Sequence, residues 1–272
     1  MPCSLIDPLP DNAKVWRYTD LARFVDLLRT GSLYLASLPT MEDEWEGATS
    51  AVREPWQYDP TLVDAYGLAA VIDLTGGVED LAVSQRKGVF INCWHLSDVE
   101  SAAMWKLYEP TGRGISIQTT MKRLRESVVD EKDVTLSEVQ YVDFEDPSSL
   151  NLFDLNRKYS YKRLSFSHER EVRFQYFDLM PLRQKTDVER AADPPLSEQS
   201  PNVDYEHVID FNTLPVGIHL QVDVPDLIER VIVAPDAPVW FADVIRDIVA
   251  RYGHDFPVET SSMLQRPRYG HL

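Results

Sequence analysis

The stretch "SFSHEREVRFQYF", residues 165–177, sets two carboxylates, Glu169 and Glu171, just ahead of an alternating apolar run of Val172, Phe174 and Tyr176. On an extended strand, side chains two residues apart point the same way. If 169 and 171 are the extended entry to a strand over 171–177, then Glu169, Glu171 and Arg173 form one stripe. Such a stripe can aim a pair of carboxylates at a substrate, or it can be a strand face made soluble by ion pairs. Glu-x-Glu arises readily in an acidic chain, so context rather than spacing has to choose between the two.

A second acidic group lies in "EDEWE", where Glu42, Asp43, Glu44 and Glu46 surround Trp45. Clustered carboxylates can hold a hard cation, as in metal-dependent nucleases. They can equally form an acidic turn that Trp45 anchors to the core. Other familiar solutions are missing. There is no HExxH, and two cysteines cannot build a four-cysteine zinc site. "GRG" at 112–114 lacks both a third glycine and a phosphate-loop lysine, and no GxSxG elbow occurs. The six histidines are scattered, and His95 and His168 read as structural residues at strand ends. No metal ligands are assigned.

Composition narrows the classes. A chain of 272 residues with 44% hydrophobic content can bury a real core. Its 27 basic and 44 acidic residues leave a formal charge of −17, which repels nucleic acid and anionic membranes at long range. Only Cys3 and Cys93 are present, which suits a reducing cytoplasm. The N-terminal "MPCSLIDPLPDN" shows no basic region followed by an apolar run, so no signal peptide is expected, and no stretch approaches a membrane span. The expectation is a soluble, cytoplasmic protein with no membrane partner.

The elements that must position these groups follow from periodicity and caps. Val15 to Tyr18 reads as a strand, then a helix capped at Thr19 or Asp20 with apolar Leu21, Phe24, Val25 and Leu28, stopped by Gly31. Leu33 to Ala36 is the next strand. Further strands are expected at 88–94, 112–120, 139–144, 171–177, 218–224 and 228–233, with a last one in "FPVET". Helices are expected at 59–75, 100–109 (stopped by Pro110), 121–128, 150–164 and 240–252. The Pro- and Ser-rich segment 183–206 reads as an exposed loop or lid, and 216–262 as a C-terminal strand-helix-strand unit. The expected fold is α+β: one domain over 1–272, with mixed, mostly antiparallel sheets and flanking helices.

The order of motifs resembles a bacterial family catalogued as domain of unknown function 2971. The matching segments are "VWRY" at 15–18, "GSLYLASLPTMEDEWEG" at 31–47, "MWKLYEPTGRGISI" at 104–117 and "KRLSFSHEREVR" at 162–173. Glu42-Asp43-Glu44 stands where the family has Asn-Asp-Pro, and Phe166 where it has tryptophan. That family supplies no activity. At the level of fold, "RYTD", "GISIQTT" and "HEREVRF" are similar, in order, to the three signature strands of Arg-Ser-Glu type ADP-ribosyltransferases. That resemblance implies NAD as substrate. Arg17 would grip its phosphates, Ser116 would support the nicotinamide ribose, and Tyr18 or Trp94 would stack on the nicotinamide. Glu171 would bond the ribose hydroxyl and stabilise the oxocarbenium-like state, while Glu169 would help activate the acceptor.

The leading reading is therefore an NAD-consuming ADP-ribosyltransferase or NAD glycohydrolase, of a bacterial defence or toxin kind, with a protein or nucleic-acid acceptor among the choices. Two alternatives stay open. One is a metal-dependent nuclease using the 42–46 carboxylates with Glu169 or Glu171, and a basic groove to which Lys158, Lys162, Arg163 and Arg170 contribute. The other is a non-enzymatic partner-binding module, in which Arg17 and Glu171 are buried in a mutual ion pair with no open cavity.

Overall fold

The computed structural model describes residues 3–47, 83–108, 111–146, 155–195, 204 and 206–264. In chain order the strands that build the main sheet are β1 (Cys3–Leu5), β2 (Lys14–Thr19), β3 (Ser32–Ser37), β4 (Val89–Leu96), β5 (Ile115–Thr120) and β6 (Val134–Glu138). Short β7 (Gln140–Val142) and β8 (Tyr161–Arg163) pair with each other, and β9 (Glu171–Phe177) returns to the main sheet. Beyond it come the hairpin partners β10 (Leu182–Gln184) and β11 (His207–Ile209), then β12 (Gly217–Gln221), β13 (Arg230–Val233) and β14 (Val258–Thr260). The helices are α1 (Leu21–Thr30), α2 (Ala102–Tyr108), α3 (Met121–Glu126), α4 (Leu155–Lys158), α5 (Asp187–Ala191), α6 (Val224–Leu227) and α7 (Val239–Arg251).

The main sheet runs β1-β6-β9-β4-β2-β5-β13-β14, and β3, joined to β12, adds to β4 beside β2. Pairings among the described strands are antiparallel except β1–β6, β7–β8 and β13–β14. The class is therefore α+β with a mixed, mostly antiparallel sheet, as expected. Helix α1 shows why local sequence is enough for its ends. The Asp20 side chain accepts from the Arg23 amide, and Gly31 at φ 60° closes the last turn through its N–H to the Leu27 carbonyl. The helix lays Phe24, Leu27 and Leu28 on the sheet face that carries Val15, Trp94, Ile117, Val172 and Phe174. Helix α7 buries Phe241, Ala242, Ile245 and Val249 in the same core. Each large side chain so buried contributes about 1.5–3 kcal/mol.

Two expectations about elements need correction. The long helix over 150–164 is absent where the chain is described: only Leu155–Lys158 is helical, and Tyr161–Arg163 is a strand parallel to Gln140–Val142. Tyr159, Tyr161 and Lys162 are all buried, and a strand rather than a helix carries the last two inward. Secondly, the strand spans Glu171–Phe177 as expected, but Glu169 is not its extended entry. Residues Leu164–Glu169 form a 3-10 turn, and Arg170 sits in the left-handed region at φ 43°. The expected helix at 59–75 and Pro110 lie outside the described residues. In the segment 183–206, the described part contains most of β10 and helix α5, which is capped by a reciprocal Thr186–Glu189 box.

The acidic turn is solvated only at Glu42 and Glu44. Asp43 and Glu46 are each 2% exposed, and Trp45 packs on Phe144 at 5.7 Å between ring centres. Gly47 makes this possible, with φ 75° and no room for a side chain: a Cβ would stand 2.7 Å from Leu38 Cδ2 and 2.9 Å from Tyr159 Cδ1. Gly47→Ala is expected to lower stability by about 1–3 kcal/mol, read as a lower urea midpoint with unchanged slope; an unchanged midpoint would show that the turn docks some other way.

Candidate active-site cavity

Strand β4 is flanked unusually on one edge. It pairs with β2 only through Val15↔Leu96 and Trp16↔His95, and with β3 only through Ala36↔Ile91 and Ser37↔Phe90. Asn92, Cys93 and Trp94 lie between those two contacts, in a gap where β2 and β3 have parted. The groups left in the gap are met by side chains: Arg17 Nη1 donates to the Cys93 carbonyl at 2.7 Å, and Asn92 Nδ2 donates to the Tyr34 carbonyl at 2.9 Å. A cavity of about 760 Å³ opens there, lined among others by Arg17, Tyr18, Asn92, Cys93, Tyr108 and Glu171. That volume lies within the range of small-molecule sites.

The gap matters because it brings opposite sheet faces into one space. Directly paired residues share a face, so Arg17 goes with Ile117, while Tyr18 goes with Ser116. His95, paired with both Trp16 and Glu171, puts Glu171 on the Tyr18 side. Arg17 and Glu171 start from different faces, yet both line the cavity.

On the far wall stands a cluster of five charged side chains. Lys162 Nζ lies 2.8 Å from Glu171 Oε1 and 3.2 Å from Glu46 Oε1, and it also bonds Glu169 Oε2. Arg173 Nη2 is 2.7 Å from Glu171 Oε2, and Nη1 is 2.9 Å from Glu46 Oε2. Their side chains are at most 10% exposed, and that of Arg173 is wholly enclosed. The Arg173 Nε–H supplies the well-aligned bond to Glu171, whereas Nη1 directs its hydrogen to the Tyr159 carbonyl; its contact with Glu46 is one of charge. Asp43 extends the cluster outward to Arg163 at 2.8 Å.

Protonation follows from these neighbours. Burial would raise Glu171, but Arg173, the bond from Glu169 and Lys162 overcome it and hold the carboxyl well below the usual range. Glu169 goes the other way: burial, then its bond to Glu171 and that group's charge, push it up to about 8. Of the pair, Glu169 is the one whose neutral form is favoured and Glu171 the one whose ionised form is favoured. Burial would also strip Lys162 of its proton, and Glu171 and Glu46 keep it charged. His95 Nδ1 lies 2.6 Å from the Glu169 carbonyl, which can only accept, so Nδ1 is the donor and Nε2 the remaining acceptor. Burial lowers the pKa of His95 and keeps its ring neutral.

Of the residues that the sequence put forward, Arg17, Tyr18, Trp94, Glu169 and Glu171 line this one cavity. Ser116 does not. It is fully buried on the face opposite Arg17, beside the Tyr18 hydroxyl. The expected stacking residues are also engaged elsewhere. Trp94 is 1% exposed with its indole N–H on Asn92, and Tyr18 meets Trp105 and His95 edge-on. Of the lining aromatics, Tyr34 and Tyr108 have open surface, 45% and 44% exposed, and Tyr108, at the end of α2, is electrostatically in touch with both Arg17 and the glutamate pair. Sequence reasoning passed over Tyr108, and it placed Lys162 in a solvent-facing basic groove. The buried position of Lys162 corrects that placement. The signal available for both was membership in the "MWKLY" and "KRLSFSHEREVR" segments.

No family model matches the chain, so the resemblance to domain of unknown function 2971 finds no support there, and no curated protein matches either. Solved structures do. DarT of Thermus sp. 2.9 in complex with NAD+ aligns over 93% of this chain and 98% of its own, at 9% identity and a TM-score of 0.37. The same protein in complex with ADP-ribosylated ssDNA aligns over 93% and 96%, at 8% identity and a TM-score of 0.37. At such scores the likeness is slight, and the site has to be judged on its own geometry.

Removing Arg173 tests how the cluster is balanced, since it would leave Glu171 and Glu46 short of a buried cation. Arg173→Met is expected to cost about 3–5 kcal/mol in urea unfolding at pH 7. Adding Glu171→Gln to that variant should recover part of the loss, and a double variant no more stable than the single one would contradict this balance.

Proposed function

We infer that this protein is an NAD-consuming enzyme, an ADP-ribosyltransferase or NAD glycohydrolase. The observation that carries the reading is the polarity of the cavity. Among the described cations that line it, Lys162 has three carboxylates and Arg23 has Asp20, but Arg17 has no acidic partner and donates only to a backbone carbonyl. An enclosed guanidinium without an anion is costly, and its planar fork suits a phosphate. On the other wall stands a carboxylate held ionised, Glu171, beside one held neutral, Glu169. A dinucleotide whose central pyrophosphate is followed by a cationic nicotinamide riboside fits that order of charges.

In the reaction, the C–N bond between ribose and nicotinamide breaks, and its electron pair leaves on the nicotinamide nitrogen. Glu171 bonds the ribose hydroxyl and faces the positive charge that develops on the sugar. An oxygen of the acceptor, or of water, forms the new bond to the ribose carbon. Its proton passes to Glu169 when that carboxyl is ionised, and otherwise to solvent.

The rival readings have less behind them. Glu46 does meet Glu169 and Glu171, as a nuclease would ask, but the Lys162 ammonium fills the centre of the three carboxylates. A partner-binding module was expected to pair Arg17 with Glu171 and close the cavity; instead the arginine is not paired with that glutamate and the cavity is open.

Calorimetry with NAD is the first test. Arg17→Ala is expected to weaken binding by about tenfold or more, in keeping with loss of a charged bidentate contact. Glu171→Gln should keep binding while losing about a hundredfold or more in NAD cleavage. No binding at millimolar NAD, or full turnover in Glu171→Gln, would sink the reading. Because Glu169 can accept a proton only once ionised, transfer to a hydroxyl acceptor should rise as pH passes about 8, and Glu169→Gln should flatten that rise.

A further inference from the structure

The five charged side chains on the far wall are not a disordered crowd. Four of them close a ring of alternating sign: Lys162 to Glu171 at 2.8 Å, Glu171 to Arg173 at 2.7 Å, Arg173 to Glu46 at 2.9 Å, and Glu46 back to Lys162 at 3.2 Å. Two cations and two carboxylates make the ring neutral without Glu169. Glu169 hangs outside it, bonded to Lys162 alone of the two cations. If ionised, it would be a surplus negative charge in a place where burial and a neighbouring carboxylate both oppose one.

We propose that this ring divides the labour of the two glutamates: Arg173 and Lys162 hold Glu171 ionised, Glu46 acts as a positioning residue that fixes both cations in place, and Glu169 carries the exchangeable proton of the site. The proposal deepens the NAD-consuming reading, on which its catalytic meaning rests, but the ring itself is a property of the protein without ligand. It gives the acidic turn a task that sequence could not: Glu46 supplies the charge that makes the ring close. The other titratable groups that face Glu169 do not offer it a counter-charge. Tyr108 from α2 and Cys93 from β4 are both pushed up by burial and stay neutral, and so does His95, whose Nδ1 is taken by the Glu169 carbonyl. Tyr141 from β7, held neutral by burial, accepts from the Glu171 amide. Arg163 is engaged by Asp43, and the neighbouring Arg170 and His168 lie in the exposed turn.

The ring makes opposite demands on two substitutions, which simple loss of structure would not. Glu46→Gln removes a negative charge, so Glu169 should ionise more easily. Lys162→Met removes the cation that Glu169 touches, so Glu169 should ionise less easily. The measurement is a side-chain carboxyl 13C titration of the full-length, ligand-free protein, with Glu169→Gln assigning its resonance. In the unsubstituted protein Glu169 should titrate near or above neutrality while Glu171 stays ionised throughout. Glu46→Gln should move the Glu169 midpoint down, and Lys162→Met up, each by about one pH unit or more, a tenfold change in proton affinity. Lys162→Arg should keep it near its original position.

Glu169 titrating with ordinary glutamates in the unsubstituted protein would overturn the proposal, and so would shifts of the same sign in Glu46→Gln and Lys162→Met. Should either variant fail to fold, the unsubstituted titration and Lys162→Arg still decide. Calorimetry on the same samples separates this proposal from the one it rests on. A ring that titrates as expected in a protein that does not bind NAD leaves the ring and removes the enzyme. NAD binding alongside an ordinary Glu169 does the reverse.

Discussion

Everything at the site depends on Lys162 being both buried and charged. A buried ammonium loses several kcal/mol of hydration, which only close carboxylates can offset. Lys162 has those of Glu171 and Glu46, which also grip Arg173, and it touches the carboxyl group of Glu169 as well. The cluster therefore brings together the acidic turn, β8, the 3-10 turn before β9, and β9 itself. Such clusters seldom add much net stability over apolar packing of the same volume. What this one supplies is position: Glu171 is held by Lys162 on one oxygen and by Arg173 on the other, so its carboxylate has one orientation.

The second constraint is the parting of β2 and β3 along β4. A continuous ladder would have satisfied the backbone of Asn92 to Trp94 and left Arg17 and Glu171 on separate faces of a closed sheet. The parted ladder instead exposes backbone groups that Arg17 and Asn92 answer with side-chain donors. The same gap that costs ladder bonds makes the cavity. A cation without an acidic partner among the described residues on one wall, and a carboxylate pair on the other, is then a consequence of topology as much as of composition.

Much of the scaffold was legible from local pattern. Asp20 and Gly31 bound α1 because a cap needs only its immediate neighbours. The alternation of Val172, Phe174 and Tyr176 marked β9 for a similar reason. The failures have a physical cause too. The segment 155–163 looked helical, but Tyr159, Tyr161 and Lys162 are claimed by partners distant in the chain. The Glu-x-Glu spacing suggested one strand face, whereas Arg170 in the left-handed region breaks the extended chain between Glu169 and Glu171. The two carboxylates still converge, through Lys162 rather than through the pleat. Ser116 was placed in the site by its order in the chain, but it shares the Tyr18 face and is fully buried beside that residue, outside the cavity lining.

By itself the sequence determined the α+β class, most strand positions, the ends of α1, and the candidacy of Arg17, Glu169 and Glu171, all of which rest on periodicity, caps and residue chemistry acting over a few positions. Tertiary structure alone decided that Glu46 belongs with Glu171, that Lys162 is interior, and that Trp94 is core. It also decided that the two glutamates are pushed in opposite directions. Those outcomes depend on burial and on charges brought together from separate segments, and neither quantity exists until the chain has folded.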